Sequence, residues 1–489
     1  MTASAYWCEK AWLPGGITDR VRVEVGDAPA STDRSSTNRT NTDEPVITAV
    51  HPGVDPRPGD HRLTGLVLPG FADTHSHAFH RALRGRTHSG TAGSATSGGS
   101  FWTWREQMYR VAAVLTPDAY LQLARAVFAE MVLAGVTVVG EFHYLRCHPA
   151  ADGGSGAEAA SGTQAAEMDA ALVQAAREAG LRLTLLDACY LSGGLTADGH
   201  TPPEGAQRRF VDADVDAWAS RVEGLREAPG LRRGVAVHSV RAVPEPALAV
   251  VAQTANSGPR GGAPLHVHLS EQPAENEACQ AFYGRTPTAL LADCGVLGPR
   301  TSAVHATHLT PADIALLGGS GTAVSLCPTT ERDLADGIGP ARALADAGCA
   351  LHLGSDSHAV VDLLEEARAV EAHERLSSGR RGAFAPTELV HALTAAGHAA
   401  LGWPEGGRIE VGALADLVAV RLDSPRTAGV DPAQLVMAAT ASDVTDVVVA
   451  GRAVVRSGAH ATVDVGAALA QSISQVWRVA DADRPGQEA

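Results

Sequence analysis

From Leu66 to His358 the chain repeats one pattern. A short apolar run, rich in β-branched residues, is followed by a longer Ala-, Leu-, Arg- and Glu-rich stretch of helical character. The runs at 66–77, 135–144, 181–190, 234–240, 264–271, 301–308, 322–330 and 350–358 predict eight strands. Strands that alternate with helices pair in parallel, so residues 66–407 are expected to form an α/β domain, a (β/α)8 barrel of the TIM type. On either side, residues 1–65 and 408–460 carry strand-like pieces such as RVRVEVG, DLVAVRL and TDVVVAGRAVV. These predict a small β-sandwich built from both chain ends, with 461–489 left as a C-terminal helix and tail. Three small, polar stretches, 30–44, 89–99 and 151–164, are expected to be loops or insertions.

The alternation alone would also suit an open, doubly wound sheet, but the polar residues decide between the two. His75 and His77, Glu141 with His143 and Tyr144, His238 with Arg241, His268 with Glu271, His305 with His308, and Asp356 with His358 all fall at or just past a predicted strand end. A barrel gathers such ends at one mouth, where its active site lies. Imidazole nitrogen and carboxylate oxygen are the donors that suit zinc when thiolates are absent. In an H-x-H pair on a strand both rings project to the same side. Taken singly, each of these residues is commonplace: a polar strand edge, a core histidine, a turn aspartate. The convergence of His75, His77, His268 and Asp356 on one mouth points to a single divalent metal per chain, zinc by preference.

Charge and composition narrow the partners. The chain of 489 residues has 39 Lys+Arg against 55 Asp+Glu, a net charge of −16, and no basic block. Nucleic acid and anionic membranes are therefore poor partners, and a small molecule is the better one. There is no leader-like N-terminus and no run of apolar residues long enough for a bilayer, so a cytoplasmic location is expected. Seven scattered cysteines without a C-x-x-C pair predict reduced thiols. Lysine occurs once, at Lys10, outside the predicted barrel.

The order H-x-H after the first strand, H-x-x-E after the fifth, His305 after the sixth and Asp356 after the eighth resembles the amidohydrolase superfamily, in particular its deaminase branch. Within the branch, SFWTWREQMYR (100–110), GEFHYLRCHP (140–149), AVHSVRAVP (236–244), HLSEQPAE (268–275) and GSDSHAVVDLLEEAR (354–368) are similar to the formimidoylglutamate deiminase family. The resemblance implies metal-dependent hydrolysis of N-formimidoyl-L-glutamate to N-formyl-L-glutamate and ammonia. Some members of the superfamily bridge two metals with a carboxylated lysine. With Lys10 outside the barrel that bridge cannot form here, and one metal is expected.

In this reading Asp356 is both ligand and base, and Glu271 faces the cationic amidine and carries a proton to the departing nitrogen. His305 polarises the attacking water or the tetrahedral centre. Arg241 and Tyr144 match family positions for a substrate that carries carboxylates. Arg105 matches as well, acting in its own subunit or in a neighbour of an expected homodimer. His238 is a substrate contact, and His80 stands where the family is expected to have glutamine. Trp102, Trp104 and Tyr109 are expected to pack, and His308 and His358 to stand behind the ligands. Two rival readings are a deaminase or chlorohydrolase of an aromatic ring, for which paired arginines have no use, and a catalytically silent barrel scaffold, which would lack ligands.

Overall fold

The computed structural model describes residues 4–27, 44–87, 101–147 and 162–482. In it the barrel strands are β1 (Phe71–Ser76), β2 (Val136–His143), β3 (Arg182–Cys189), β4 (Leu231–Val237), β5 (Leu265–Leu269), β6 (Thr301–His305), β7 (Ala323–Leu326) and β8 (Leu351–Leu353). They pair in parallel in sequence order. The ring closes between its first and last strands through a parallel bridge from Ser76 to Asp356. There the Asp356 N–H donates to the His75 carbonyl at 2.8 Å and the His77 N–H donates to that of Asp356 at 3.2 Å. Gly354 makes the seam possible, because a Cβ there would stand 2.7 Å from that of His75.

The run 66–77, expected as one strand, is two. His61–Pro69 belongs to the terminal sheet and Phe71–Ser76 to the barrel. The chain turns between them at Gly70, where a Cβ would meet Thr137 Oγ1 at 2.2 Å. Several other strands end earlier than their apolar runs suggest, and Pro328 already opens a helix, Pro328–Asp333. His75 lies on a strand and His268 and His305 near strand ends, whereas Glu271 and Asp356 sit on the loops beyond. The expected loops at 30–44 and 89–99 fall outside the described residues, apart from Glu44. The same holds for 151–164 up to Gly162, where a helix begins.

Both chain ends supply the second layer. Its eight strands hydrogen-bond in one continuous order: Ala459–His460, Arg452–Arg456, Val444–Val449, Leu417–Val420, His61–Pro69, Ser4–Leu13, Gly16–Gly26 and Val46–His51. Side chains alternate between its faces. Leu66, Leu68, Val418 and Val420 join the large core shared with the barrel, while Val67, Leu417 and Ala419 join a separate core with Tyr6, Val23 and Ile47. Inside the barrel, Ala72, Val138, Leu186 and Leu401 pack with Trp403 as the floor.

The helix Val465–Ala482 packs on the helices Pro117–Leu133 and Phe101–Val114. Trp477 Nε1 donates to the Ala82 carbonyl at 2.7 Å, tying this helix to the 3-10 turn Ala78–Leu83 that carries His80. Arg86 and Arg110 lie 5.4 and 5.3 Å from the Trp477 ring centre. Trp477→Phe keeps the apolar ring but orphans a buried carbonyl. The folded state should lose about 1–3 kcal/mol, read as a lower urea midpoint at unchanged slope.

Candidate metal centre and substrate cavity

His75, His77 and His268 bring three imidazoles together at the mouth of the barrel, all of them buried, and Asp356 reaches in from the loop after β8. His75 Nε2 stands 3.1 Å from His268 Nε2 and 3.3 Å from Asp356 Oδ1, which is 3.4 Å from His77 Nε2. Donors about 2.0–2.1 Å from a tetrahedral ion stand roughly 3.3 Å from one another, so these separations suit one ion. The hydrogen bonds behind the rings agree. His77 Nδ1–H donates to the Phe142 carbonyl at 2.9 Å and His268 Nδ1–H to the His238 carbonyl at 2.8 Å. Each ring, held neutral by burial, is thereby left with an Nε2 lone pair aimed into the cluster. Lone pairs gathered at that distance around a carboxylate call for a cation.

The backbone is forced to make this arrangement. Ser270, His305, Ala306, Asp356 and His358 all have φ between 44° and 67°, the left-handed region, at a cost of order 1–3 kcal/mol each. Such strain survives only where the surrounding packing dictates it.

His305 stands beside the cluster, its ring centre 5.9 Å from that of His75 and 5.7 Å from that of His268. Its Nε2 is 3.6 Å from Glu271 Oε1 and 4.0 Å from Asp356 Oδ2, and its Nδ1 is 3.5 Å from Glu331. Although burial opposes it, Glu271, Glu331 and Asp356 push His305 up to about 10, and a nitrogen of this ring lies close enough to His75 and Asp356 to count among the possible metal donors. Burial lifts the Glu271 carboxyl, with His305 and Arg241 pulling the other way. Burial would lift Asp356 too, but the imidazoles around it hold it well below the usual carboxylate range. Two carboxyls in one site are thus driven apart, one prone to hold a proton and one to remain ionised.

A cavity of about 170 Å³ runs outward from the cluster. Glu271, Asp356, Arg241, Arg105, Tyr144, His238 and His80 line it. Arg241 Nε donates to Glu275 at 2.9 Å, leaving Nη2 3.8 Å from Glu271. His80 Nε2 is 3.1 Å from the Tyr144 hydroxyl, and burial pushes this ring down to about 3, so it is neutral. His80 also has a nitrogen close enough to His77 and Asp356 to count among the possible metal donors. Arg105 lines the cavity of its own chain, its Nε directed at the Tyr109 hydroxyl.

Some strand-end residues are not brought into the cavity. His143 and Glu141 share the outward parity of β2. His143 Nε2 lies 3.0 Å from Asp169, and Glu141 accepts from Ser76 Oγ at 2.6 Å and from the Ala78 N–H at 2.7 Å. His358 Nε2 holds Ser76 Oγ at 2.9 Å, and His308 Nε2–H donates to the Asp336 carbonyl at 2.8 Å. Trp104 and Tyr109, expected to pack, line the cavity. The Trp102 side chain is outside those described. Sequence reasoning missed Glu275 and Glu331, which steer Arg241 and His305 from the first turns of the helices Pro273–Tyr283 and Pro328–Asp333.

A barrel whose mouth holds a His/Asp cluster fit for a divalent ion, beside a buried carboxyl, defines a metal-dependent hydrolase. The chain belongs to the amidohydrolase family, whose model matches residues 66–454. It is 36% identical over 472 residues to formimidoylglutamate deiminase from Pseudomonas aeruginosa, covering 94% of this chain and 96% of that one. It is 29% identical over 413 residues to 8-oxoguanine deaminase from the same organism, covering 83% and 86%. Among solved structures, an amidohydrolase from Brucella melitensis superposes with a TM-score of 0.83 at 30% identity, covering 97% of this chain and all of that one.

Proposed function

We propose that this chain hydrolyses N-formimidoyl-L-glutamate to N-formyl-L-glutamate and ammonia, using one zinc ion per chain. One observation carries the reading: the cavity beside the metal cluster is lined by carboxyl and guanidinium groups together. Glu271 and Asp356 supply the carboxyls, and Arg241, 3.8 Å from Glu271, and Arg105 supply the guanidinium groups. A ligand that satisfies both has a cationic amidine at one end and carboxylates at the other. The similarity to the Pseudomonas aeruginosa deiminase over nearly the full length of both chains supports the same substrate.

His75, His77, His268 and Asp356 would hold a divalent ion, which would supply Lewis acidity and lower the pKa of water toward neutrality. The chain's own groups do the rest. Glu271 accepts hydrogen bonds from the amidine N–H groups, fixing the electrophilic carbon, and delivers a proton to the departing nitrogen. Asp356 takes a proton from the attacking water. His305, held protonated between Glu271 and Glu331, donates to the oxygen on which charge develops. Arg241 and Arg105 hold the substrate carboxylates, with the Tyr144 hydroxyl as a further donor. No described helix is long and apolar enough to cross a membrane.

Ammonia release from a panel of formimidoyl amino acids and aromatic amines tests the reading. Formimidoyl-glutamate should be turned over and the aromatic amines left intact. The reverse preference would assign the chain to ring deamination, and no turnover at all would make it a scaffold. Metal analysis of zinc-loaded protein should return about one ion per chain, because the possible donor groups overlap, each pair of them sharing His75, His77 or Asp356. Two tightly held ions would break this model of the site.

A further inference from the structure

At the end of the barrel opposite the metal cluster a second cavity, of about 470 Å³, is lined by Arg232, Arg233, Arg260, Arg300 and Arg408. Three carboxylates answer these five guanidinium groups. Glu227 pairs with Arg260 at 2.7 Å, Glu410 with Arg408 at 2.7 Å, and Glu405 with Arg232 at 3.4 Å. Arg233 donates to the Val222 carbonyl and Arg300 to the Asn256 side-chain oxygen, both neutral. The cavity is therefore positive in a chain whose net charge is −16.

A neighbouring strand supplies an internal comparison. Arg182 at the start of β3 and Arg232 near the start of β4 are both buried, and their guanidinium groups lie 5.6 and 3.8 Å from the centre of the Trp403 ring. Arg182 is met by both Asp416 and Glu44, which hold it above its ordinary range although burial opposes them. Each arginine keeps one buried nitrogen with no hydrogen-bond partner, Nε of Arg182 and Nη1 of Arg232, but Arg232 has only the one long carboxylate contact, to Glu405. Burial pushes it down to about 10. A buried guanidinium short of counter-charge favours an anion beside it, and planar guanidinium forks match the paired oxygens of carboxylate and phosphate. Arg300 is free to lie across the rim because the residue beneath it is Gly262, with φ +134°. A Cβ there would stand 2.3 Å from Arg300 Nε.

We propose that this floor cavity is a binding site for a small oxyanion, a phosphate or a dicarboxylate, separate from the substrate cavity. Titration calorimetry of the intact, metal-loaded protein at low ionic strength, with inorganic phosphate and with succinate, tests it. At least one of the two should bind with a Kd below about 10 mM, and whichever binds names the class. Arg300 is exposed, so Arg300→Gln leaves the fold in place. It should weaken that binding at least tenfold at unchanged metal content. Arg232→Met keeps an unbranched side chain against Trp403 and should weaken binding in the same way. If neither anion binds, or if the bound anion is indifferent to Arg300→Gln, the site does not exist.

Discussion

Glu271→Gln should lower kcat by at least about 100-fold while the metal content stays unchanged. The substitution keeps the size of the side chain and one acceptor oxygen. It removes the ionisable carboxyl and with it the proton that Glu271 delivers to the departing nitrogen, a loss typically worth roughly 10²–10⁴ in rate. Metal should survive because Glu271 is in none of the possible donor groups; it lies 3.6 Å from His305 and 3.8 Å from Arg241. Steady-state kinetics beside metal analysis of the same preparation check this. Metal lost together with activity would make Glu271 a ligand, and activity retained would pass its proton to His305 or Asp356.

Arg241→Met should lower kcat/KM for formimidoyl-glutamate by about 10²–10³-fold, chiefly through KM. The guanidinium is mostly enclosed and held by Glu275. Removing one partner of an enclosed charge pair costs about 2–5 kcal/mol, which is a comparable range of fold-changes. Part of that loss comes from leaving Glu275 alone, and a substrate comparison isolates the rest. A formimidoyl amine that lacks carboxylates should lose far less activity in the variant than formimidoyl-glutamate does. An equal loss on both would make Arg241 a support for Glu275 and no substrate contact at all.

What was legible in the sequence follows from how directly each residue acts. His75, His77, His268 and Asp356 could be read because each combines a donor atom with a strand-end position, and a barrel brings strand ends together whatever the details of its loops. His143 shares that position but not the parity. Phe142 and Tyr144 take the inner face of β2, and His143 turns outward to Asp169. An apolar run cannot announce that its parity will be used this way. Nor could it show the break at Gly70, where Leu66–Pro69 runs on into Phe71–Ser76 yet the two belong to different sheets. Glu275 and Glu331 were silent for another reason. They lie four and twenty-six residues beyond Glu271 and His305 in the chain, on helices, and act only through Arg241 and His305. Trp104 and Tyr109 read as packing because aromatic side chains at helical spacing usually do pack. Only the placement of their helix over the barrel mouth turns them toward the cavity.

The terminal sheet has a consequence for the chain's synthesis. The strand His61–Pro69 finds its antiparallel partner, Leu417–Val420, about 350 residues later. At a ribosomal rate of about 5–20 residues per second, that edge waits roughly 20–70 s before its partner emerges. Throughout the wait its backbone donors and acceptors on that side are unpaired, and Leu66 and Leu68 have no barrel to cover them. An open apolar edge is a template for pairing with another nascent chain. Slower translation between residues 70 and 417 lengthens that exposure, so yield of soluble protein should depend on codon choice and chaperone supply in that interval more than on the stability of the finished barrel.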